Sequence, residues 1–203
     1  MSVKEETRTV TGISTESAQH MLLLPIQALD GGKRVGIVGI GGLGQFGVQL
    51  AKAMGNKVTA ISTSPSKEAA AREIGADNFV VSIDPESMKG AGGSLDLILN
   101  TVSANHDLNT YLGLLDNKGV LVQLGLVTSP HPVMQLPLMF KKISIAGSLI
   151  GGLPETQDCI DFCHKHNIIP KIKIVTSKDL DGVYENLSSK NDTIIRYIKI
   201  FTN

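Results

Sequence analysis

The sequence predicts an α/β protein built on a doubly wound parallel sheet. Three observations carry that prediction. From Arg34 onward, short β-branched apolar runs alternate with segments whose apolar residues recur at helical spacing. Two of the helical segments close on a glycine, Gly55 and Gly75, where a helix C-terminus prefers one. The composition is globular, with 42% hydrophobic and 19% charged residues, 21 glycines and no tryptophan, as in aliphatic chains with many tight turns.

The elements follow in order. Arg34 to Gly39 is a β-branched run ending in glycine, and predicts the first strand. Gly42 to Met54 carries Leu43, Phe46, Gly47, Leu50 and Met54 at helical spacing. Val58 to Ile61 predicts a second strand, and the alanine- and charge-rich Ser66 to Ile74 a helix, with Ser66 available to cap it. Phe79 to Val81 and Leu95 to Leu99 predict the third and fourth strands. Asn105 to Leu115 predicts a helix that Ser103 or Asn105 could cap. Val120 to Leu124 and Ile143 to Ile145 complete the sheet as strands five and six. Lys171 to Val175, a helix near Leu180 to Leu187, and Ile194 to Phe201 then read as two strands and a helix appended to it. The 203 residues divide into an atypical N-terminal arm (1–30), a doubly wound domain (31–166) and a C-terminal segment (167–203).

Charge and cysteine usage narrow the function. Lys+Arg and Asp+Glu number 19 each, so bulk charge offers nothing to a nucleic acid or to an anionic membrane surface. The apolar run Met21 to Leu24 is too short to span a bilayer, and Pro25 interrupts it. The two cysteines, Cys159 and Cys163, cannot staple a secreted framework and point to the reducing cytoplasm.

The strongest chemical signal is Gly39-Ile40-Gly41-Gly42-Leu43-Gly44, a G-x-G-x-x-G loop between a predicted strand and a predicted helix. In that context each glycine has a task. Gly39 allows the tight turn, Gly41 lets a pyrophosphate approach the backbone, and Gly44 lets the helix pack against the sheet. The helix N-terminus offers free N–H groups and a partial positive charge to phosphate. This is the Rossmann dinucleotide-binding pattern. At the end of the second strand such sites usually place a carboxylate for the ribose 2′-OH of NAD. Here the chain reads Ser62-Thr63-Ser64-Pro65-Ser66-Lys67, with no carboxylate until Glu68. Hydroxyls and an ammonium favour a 2′-phosphate, and therefore NADP.

From Gly32 to about Asn167 the chain resembles the cofactor domain of plant-type cinnamyl alcohol dehydrogenases, zinc-dependent members of the medium-chain dehydrogenase superfamily. The resemblance rests on the blocks GKRVGIVGIGGLGQFGVQLAKAMG, VTAISTSPSKEAA, LDLILNTVSANH, GVLVQLG, ISIAGSLIGG and ETQDCIDFCHKHNI, in order and spacing. It implies that Gly39, Ile40, Gly41, Gly42, Leu43 and Gly44 bind the pyrophosphate, and that Ser62, Thr63 and Lys67, beside Ser64, hold the 2′-phosphate. Thr101 and Gly125 would lie at the edge of the cofactor, and Ser148, Leu149 and Ile150 at its nicotinamide end. By spacing alone, Thr101 and Gly125 are equally consistent with plain turn chemistry.

The family holds its catalytic zinc with two cysteines and a histidine, for which this chain shows no counterpart before Cys159. Cys159, Cys163, His164 and His166 lack a paired zinc spacing and fall where the resemblance implies a helix packed on the sheet. No catalytic residue and no metal ligand is therefore assigned. His106 reads as structural, and His20 and His131 carry no motif. The expectation is an NADP(H)-binding part of an alcohol dehydrogenase that by itself would reduce cinnamyl aldehydes poorly or not at all. Two other readings stand beside it. One is a non-catalytic homologue that dimerises through the edge strand at Ile143 to Gly147, and the other is a truncated gene model or pseudogene product.

Overall fold

The computed structural model describes residues 31–148, 151–169, 172–188 and 196–199. Its first strand, β1 (Arg34–Val38), leads through the glycine loop into α1 (Gly42–Ala53). Then come β2 (Lys57–Ser62), a 3₁₀ turn (Pro65–Lys67), α2 (Glu68–Glu73) and β3 (Asn78–Val81). The second half runs α3 (Pro85–Gly90), β4 (Leu95–Asn100), α4 (Leu108–Leu112), β5 (Leu115–Gln123), α5 (Gln135–Lys141), β6 (Ser144–Gly147) and α6 (Leu153–Lys165). After it, β7 (Ile172–Val175), α7 (Leu180–Ser188) and β8 (Arg196–Lys199) form a small unit in which β7 and β8 pair in parallel.

The six strands β1 to β6 form one parallel sheet in the order β3-β2-β1-β4-β5-β6. The chain winds outward from β1 to β3, returns to β4 beside β1, and winds outward again to β6. That reversal makes the Rossmann switch point, and it leaves a crevice at the carboxyl ends of β1 and β4. Apolar residues cover both faces, as a fully covered parallel sheet requires. On one face, Val35, Ile37, Leu97 and Leu99 pack with Phe46 and Leu50 of α1 and Cys159 of α6. On the other, Val38, Ile61 and Ile98 pack with Leu108, Tyr111 and Leu112 of α4. Among the described residues no helix is long and apolar enough to cross a membrane.

Gly55 and Gly75 follow α1 and α2 at φ +81° and +108°, the left-handed closure expected of them. Other boundaries differ from expectation. Neither Ser103 nor Asn105 caps α4. Asp107 does, accepting from Asn109 N at 3.0 Å, so the helix starts later than its hydroxyl and amide signals suggested. It also ends at Leu112, because Leu115 already pairs with Leu95 as the start of β5. Ser66 lies inside the 3₁₀ turn and caps nothing, and Lys67 occupies the N-cap of α2 without capping it through its side chain. The arm at 1–30 and the end of the chain beyond Lys199 lie outside the described residues.

At the opposite end of the sheet from the crevice, Arg34 joins three strands. Its backbone N–H and its guanidinium Nε donate to Asp96 Oδ2 at 2.8 and 3.1 Å, and Nη2 reaches Asp116 Oδ2 at 2.7 Å. The guanidinium holds the Asp96 carboxyl below the usual carboxylate range. A depressed carboxylate stabilises the fold fully above its unfolded value, about 4, and loses that contribution as pH falls through the folded value. Asp96→Asn is therefore expected to lower Tm at pH 7, with the difference from the parent shrinking below about pH 4. Thermal melts at both pH values check this.

Candidate functional site

The crevice at the switch point is a cleft of about 920 Å³. Its floor is the loop Gly39 to Gly44, all of which line it. Gly39 sits at φ +87°, and its N–H donates to Ile61 O at 2.9 Å, joining the ends of β1 and β2. A Cβ on Gly44 would stand 1.8 Å from the carbonyl oxygen of Gly39, so α1 approaches the turn as closely as backbone allows. Gly41 occupies the α1 N-cap in extended conformation and offers no side-chain cap. The first N–H groups of the helix, which have no intrahelical acceptor, therefore face the cleft without an internal ligand from the cap.

Thr101 secures this turn from β4. Its hydroxyl lies 2.8 Å from Val38 O and 3.0 Å from Gly39 O, and its single proton serves these two carbonyls. Thr101 lines the cleft and also positions the glycine loop, which sequence spacing could not distinguish. Gly125 has an equally definite task. A Cβ there would meet Val102 O at 2.2 Å, so only glycine lets the loop after β5 cross the loop after β4.

On the β2 side the cleft is walled by Ser62, Thr63, Lys67 and Ser82. Among the described residues Lys67 is the cation of this wall, and no aspartate or glutamate lines the cleft. Its Nζ donates to Ile40 O at 3.0 Å, which links the polar wall to the glycine loop. Burial pushes the Lys67 ammonium below the usual lysine range. An anion beside it would reverse that effect. Ser64 points elsewhere: its hydroxyl lies 2.9 Å from Ser66 Oγ, and it is not among the lining residues.

On the β4 and β5 side the wall includes Val102, Asn105, His106, Tyr111 and Leu126, with Tyr197 arriving from β8. Tyr111, Leu126 and Tyr197 carried no functional signal in the sequence, because packing brings separate elements to the cleft. A part-buried hydrogen-bond network orders this side. His106 Nδ1 lies 2.7 Å from Ala104 O, an acceptor only, so Nδ1 carries the proton and Nε2 accepts from Asn100 Nδ2 at 2.8 Å. The second Asn100 N–H goes to Gln123 Oε1 at 2.7 Å, and Gln123 Nε2 donates to Gly125 O at 2.7 Å. Ser148 lies apart from the cleft, on an adjoining compartment, while Leu149 and Ile150 fall outside the described residues.

Residues 42–165 match the family model described as zinc-binding dehydrogenase. The chain belongs to the zinc-binding dehydrogenase family. An NADP-dependent alcohol dehydrogenase of Mycolicibacterium smegmatis is 45% identical over 166 residues, 82% of this chain and 47% of that protein. A cinnamyl alcohol dehydrogenase structure from Sorghum bicolor superposes with a TM-score of 0.82 at 34% identity, covering 95% of this chain and 54% of that one. A Helicobacter pylori cinnamyl alcohol dehydrogenase complexed with NADP(H) superposes with a TM-score of 0.77 at 32% identity, covering 95% and 53%. The chain thus spans about half the length of the relatives it matches. Among the described residues of this zinc-binding dehydrogenase chain, no three His, Cys, Asp or Glu side chains come together as a metal-holding group. The described residues therefore offer no ligand set that fits zinc.

Proposed function

We propose that this chain is the NADP(H)-binding part of a cinnamyl-alcohol-dehydrogenase-like oxidoreductase. In the complete enzyme the reaction class is hydride exchange between NADPH and an aldehyde or primary alcohol. The observation that carries the cofactor reading is the composition of the cleft. A glycine-rich loop at a helix N-terminus adjoins hydroxyls and a half-buried lysine, with no carboxylate among the described lining residues to repel a 2′-phosphate.

The residues divide the work. Gly39 to Gly44 receive the pyrophosphate, with Thr101 holding the loop in shape. Ser62, Thr63 and Lys67 receive the 2′-phosphate, and Ser64 braces Ser62 by donating its N–H to the Ser62 hydroxyl at 3.1 Å. Gly125 and the Asn100–Gln123–His106 network fix the wall beside the nicotinamide ribose. When bound, the cofactor supplies the hydride. In this reading residues 31–166 form the cofactor domain and 167–203 belong with a substrate-side domain, while Ser148 lies toward the nicotinamide end. The free thiols Cys159 and Cys163 support a reducing, cytoplasmic location. Titration with NADPH, followed by its own fluorescence, is expected to show saturable one-site binding. Emission that never saturates would contradict the reading.

The partner reading has its own support. β6 ends the sheet order, and its Ile145 is exposed. Next to it α5 exposes Leu136, Met139 and Phe140, an apolar face at helical spacing turned away from the core. A second copy pairing along β6 would cover both. Light scattering is expected to give the mass of a dimer, and a monomer mass at tens of micromolar would reject this pairing.

A further inference from the structure

Helix α6 carries both cysteines of the sequence, four residues apart and therefore on one face. Cys159 is buried in the core cluster with Leu97 and Leu99, and the half-buried Cys163 packs against the same cluster. The Cys159 thiol donates to the Cys163 sulfur, so the two sulfurs face each other. That hydrogen bond holds the Cys163 thiol below the usual cysteine range. The helix stays regular past the pair. Ile168 N–H donates to Cys163 O at 2.9 Å, and Asn167 turns at φ +53° in the left-handed closure of a helix end. Neither thiol lines the cofactor cleft.

This spacing opposes a disulfide. Helical Cβ atoms at i and i+4 lie about 5–6 Å apart, whereas a disulfide needs roughly 3.5–4.5 Å. Closing the bond would pull the last turns of α6 out of shape. One atom placed between the sulfurs spans the difference. Thiolates select soft centres. Sulfurs already within hydrogen-bond reach suit a pyramidal centre, whose two bonds to sulfur diverge at a narrow angle. They do not suit a linear ion, which holds its two ligands on opposite sides. With two cysteines in the sequence, the centre that fits has two valences to fill.

We infer that Cys159 and Cys163 form a two-thiol site for trivalent arsenic that carries one organic group. Such a centre reaches the site as its dihydroxide. Two As–S bonds form and two As–O bonds break. Each thiol proton leaves with a hydroxide as water, and arsenic stays trivalent, so nothing is oxidised or reduced. Cys163, the more exposed and more acidic thiol, makes the first bond, and Cys159 makes the second. Inorganic arsenite has a third valence that this pair leaves unfilled.

The test uses phenylarsine oxide on the reduced, folded chain, read by intact mass. One phenylarsenic group per chain is expected, with the loss of both thiol protons. Competition with glutathione, a monothiol, measures the hold of the site. Wild type is expected to retain the group at least roughly 100-fold more strongly than Cys159→Ala or Cys163→Ala, because the second bond forms within one molecule. Cys163→Ala alters a half-buried position and keeps the comparison open if Cys159→Ala fails to fold. The adduct is also expected to raise Tm, since only the folded helix presents the two sulfurs together. Diamide, a thiol oxidant, is expected to leave both thiols of the folded chain free of an internal disulfide. Two phenylarsenic groups per chain, no adduct, or a group that glutathione removes as readily from wild type as from Cys163→Ala overturns the inference. So does a lowered Tm, which would mean that the arsenical prefers the unfolded chain, or a Cys159–Cys163 disulfide formed without loss of helix.

Discussion

Gly44→Ala is expected to eliminate saturable NADPH binding and to lower stability. The added methyl group would stand 1.8 Å from Gly39 O and 2.9 Å from Gly39 C, inside backbone that cannot yield easily. Gly39 is tied on both sides, by its N–H to Ile61 O and by its carbonyl to the Thr101 hydroxyl. Relief must come from α1 moving off the sheet, which withdraws the N-terminal N–H groups from the cleft. It also disturbs the buried contacts of Phe46 and Leu50. Overpacking of this kind costs about 1–3 kcal/mol, a fall in Tm of roughly 2–12 °C for a chain of this size. Calorimetric melts and NADPH titrations read the two effects separately. Wild-type stability together with wild-type binding would contradict the close approach of α1 to the turn.

The second large effect belongs to Lys67. Lys67→Ala is expected to weaken NADPH roughly 10- to 150-fold, the range for one hydrogen bond to a charged group. NADH, which has no 2′-phosphate, is expected to bind as before. The pH profile follows from the same residue. Burial lowers the Lys67 pKa, so the ammonium is lost at a lower pH than in free lysine. NADPH affinity should therefore plateau above the second phosphate ionisation near 6 and decline toward alkaline pH before an ordinary lysine would titrate. NADH affinity should show neither limb through this pair. Equal losses for both cofactors in Lys67→Ala would move the lysine's role from the 2′-phosphate to the loop it contacts through Ile40 O.

Much of the sheet and half of the cleft were legible in the sequence for a specific reason. Gly39 to Gly44 and Ser62 to Lys67 are local segments at strand ends, where residue type alone carries the chemistry. Thr101 and Gly125 were found by resemblance, but their physical tasks became visible only through contacts with Gly39 and Val102. Ser82, Tyr111 and Tyr197 were missed because they come from separate elements that tertiary packing brings together. The short α3 was missed because it has no apolar period, although Asp84 caps it before Pro85, a start signal that composition already displayed. α5 was missed for the opposite reason. Its apolar residues face outward, Phe140 at 78% exposure, so its pattern did not read as a helix burying a core face.

In the proposed reading this cleft selects a dinucleotide by its 2′-phosphate. Isothermal titration of the same chain with NADPH and with NADH decides it. One site that binds NADPH at least roughly tenfold more tightly than NADH is expected, from the Lys67 contact. NADH binding as tightly as NADPH, or more tightly, would contradict it.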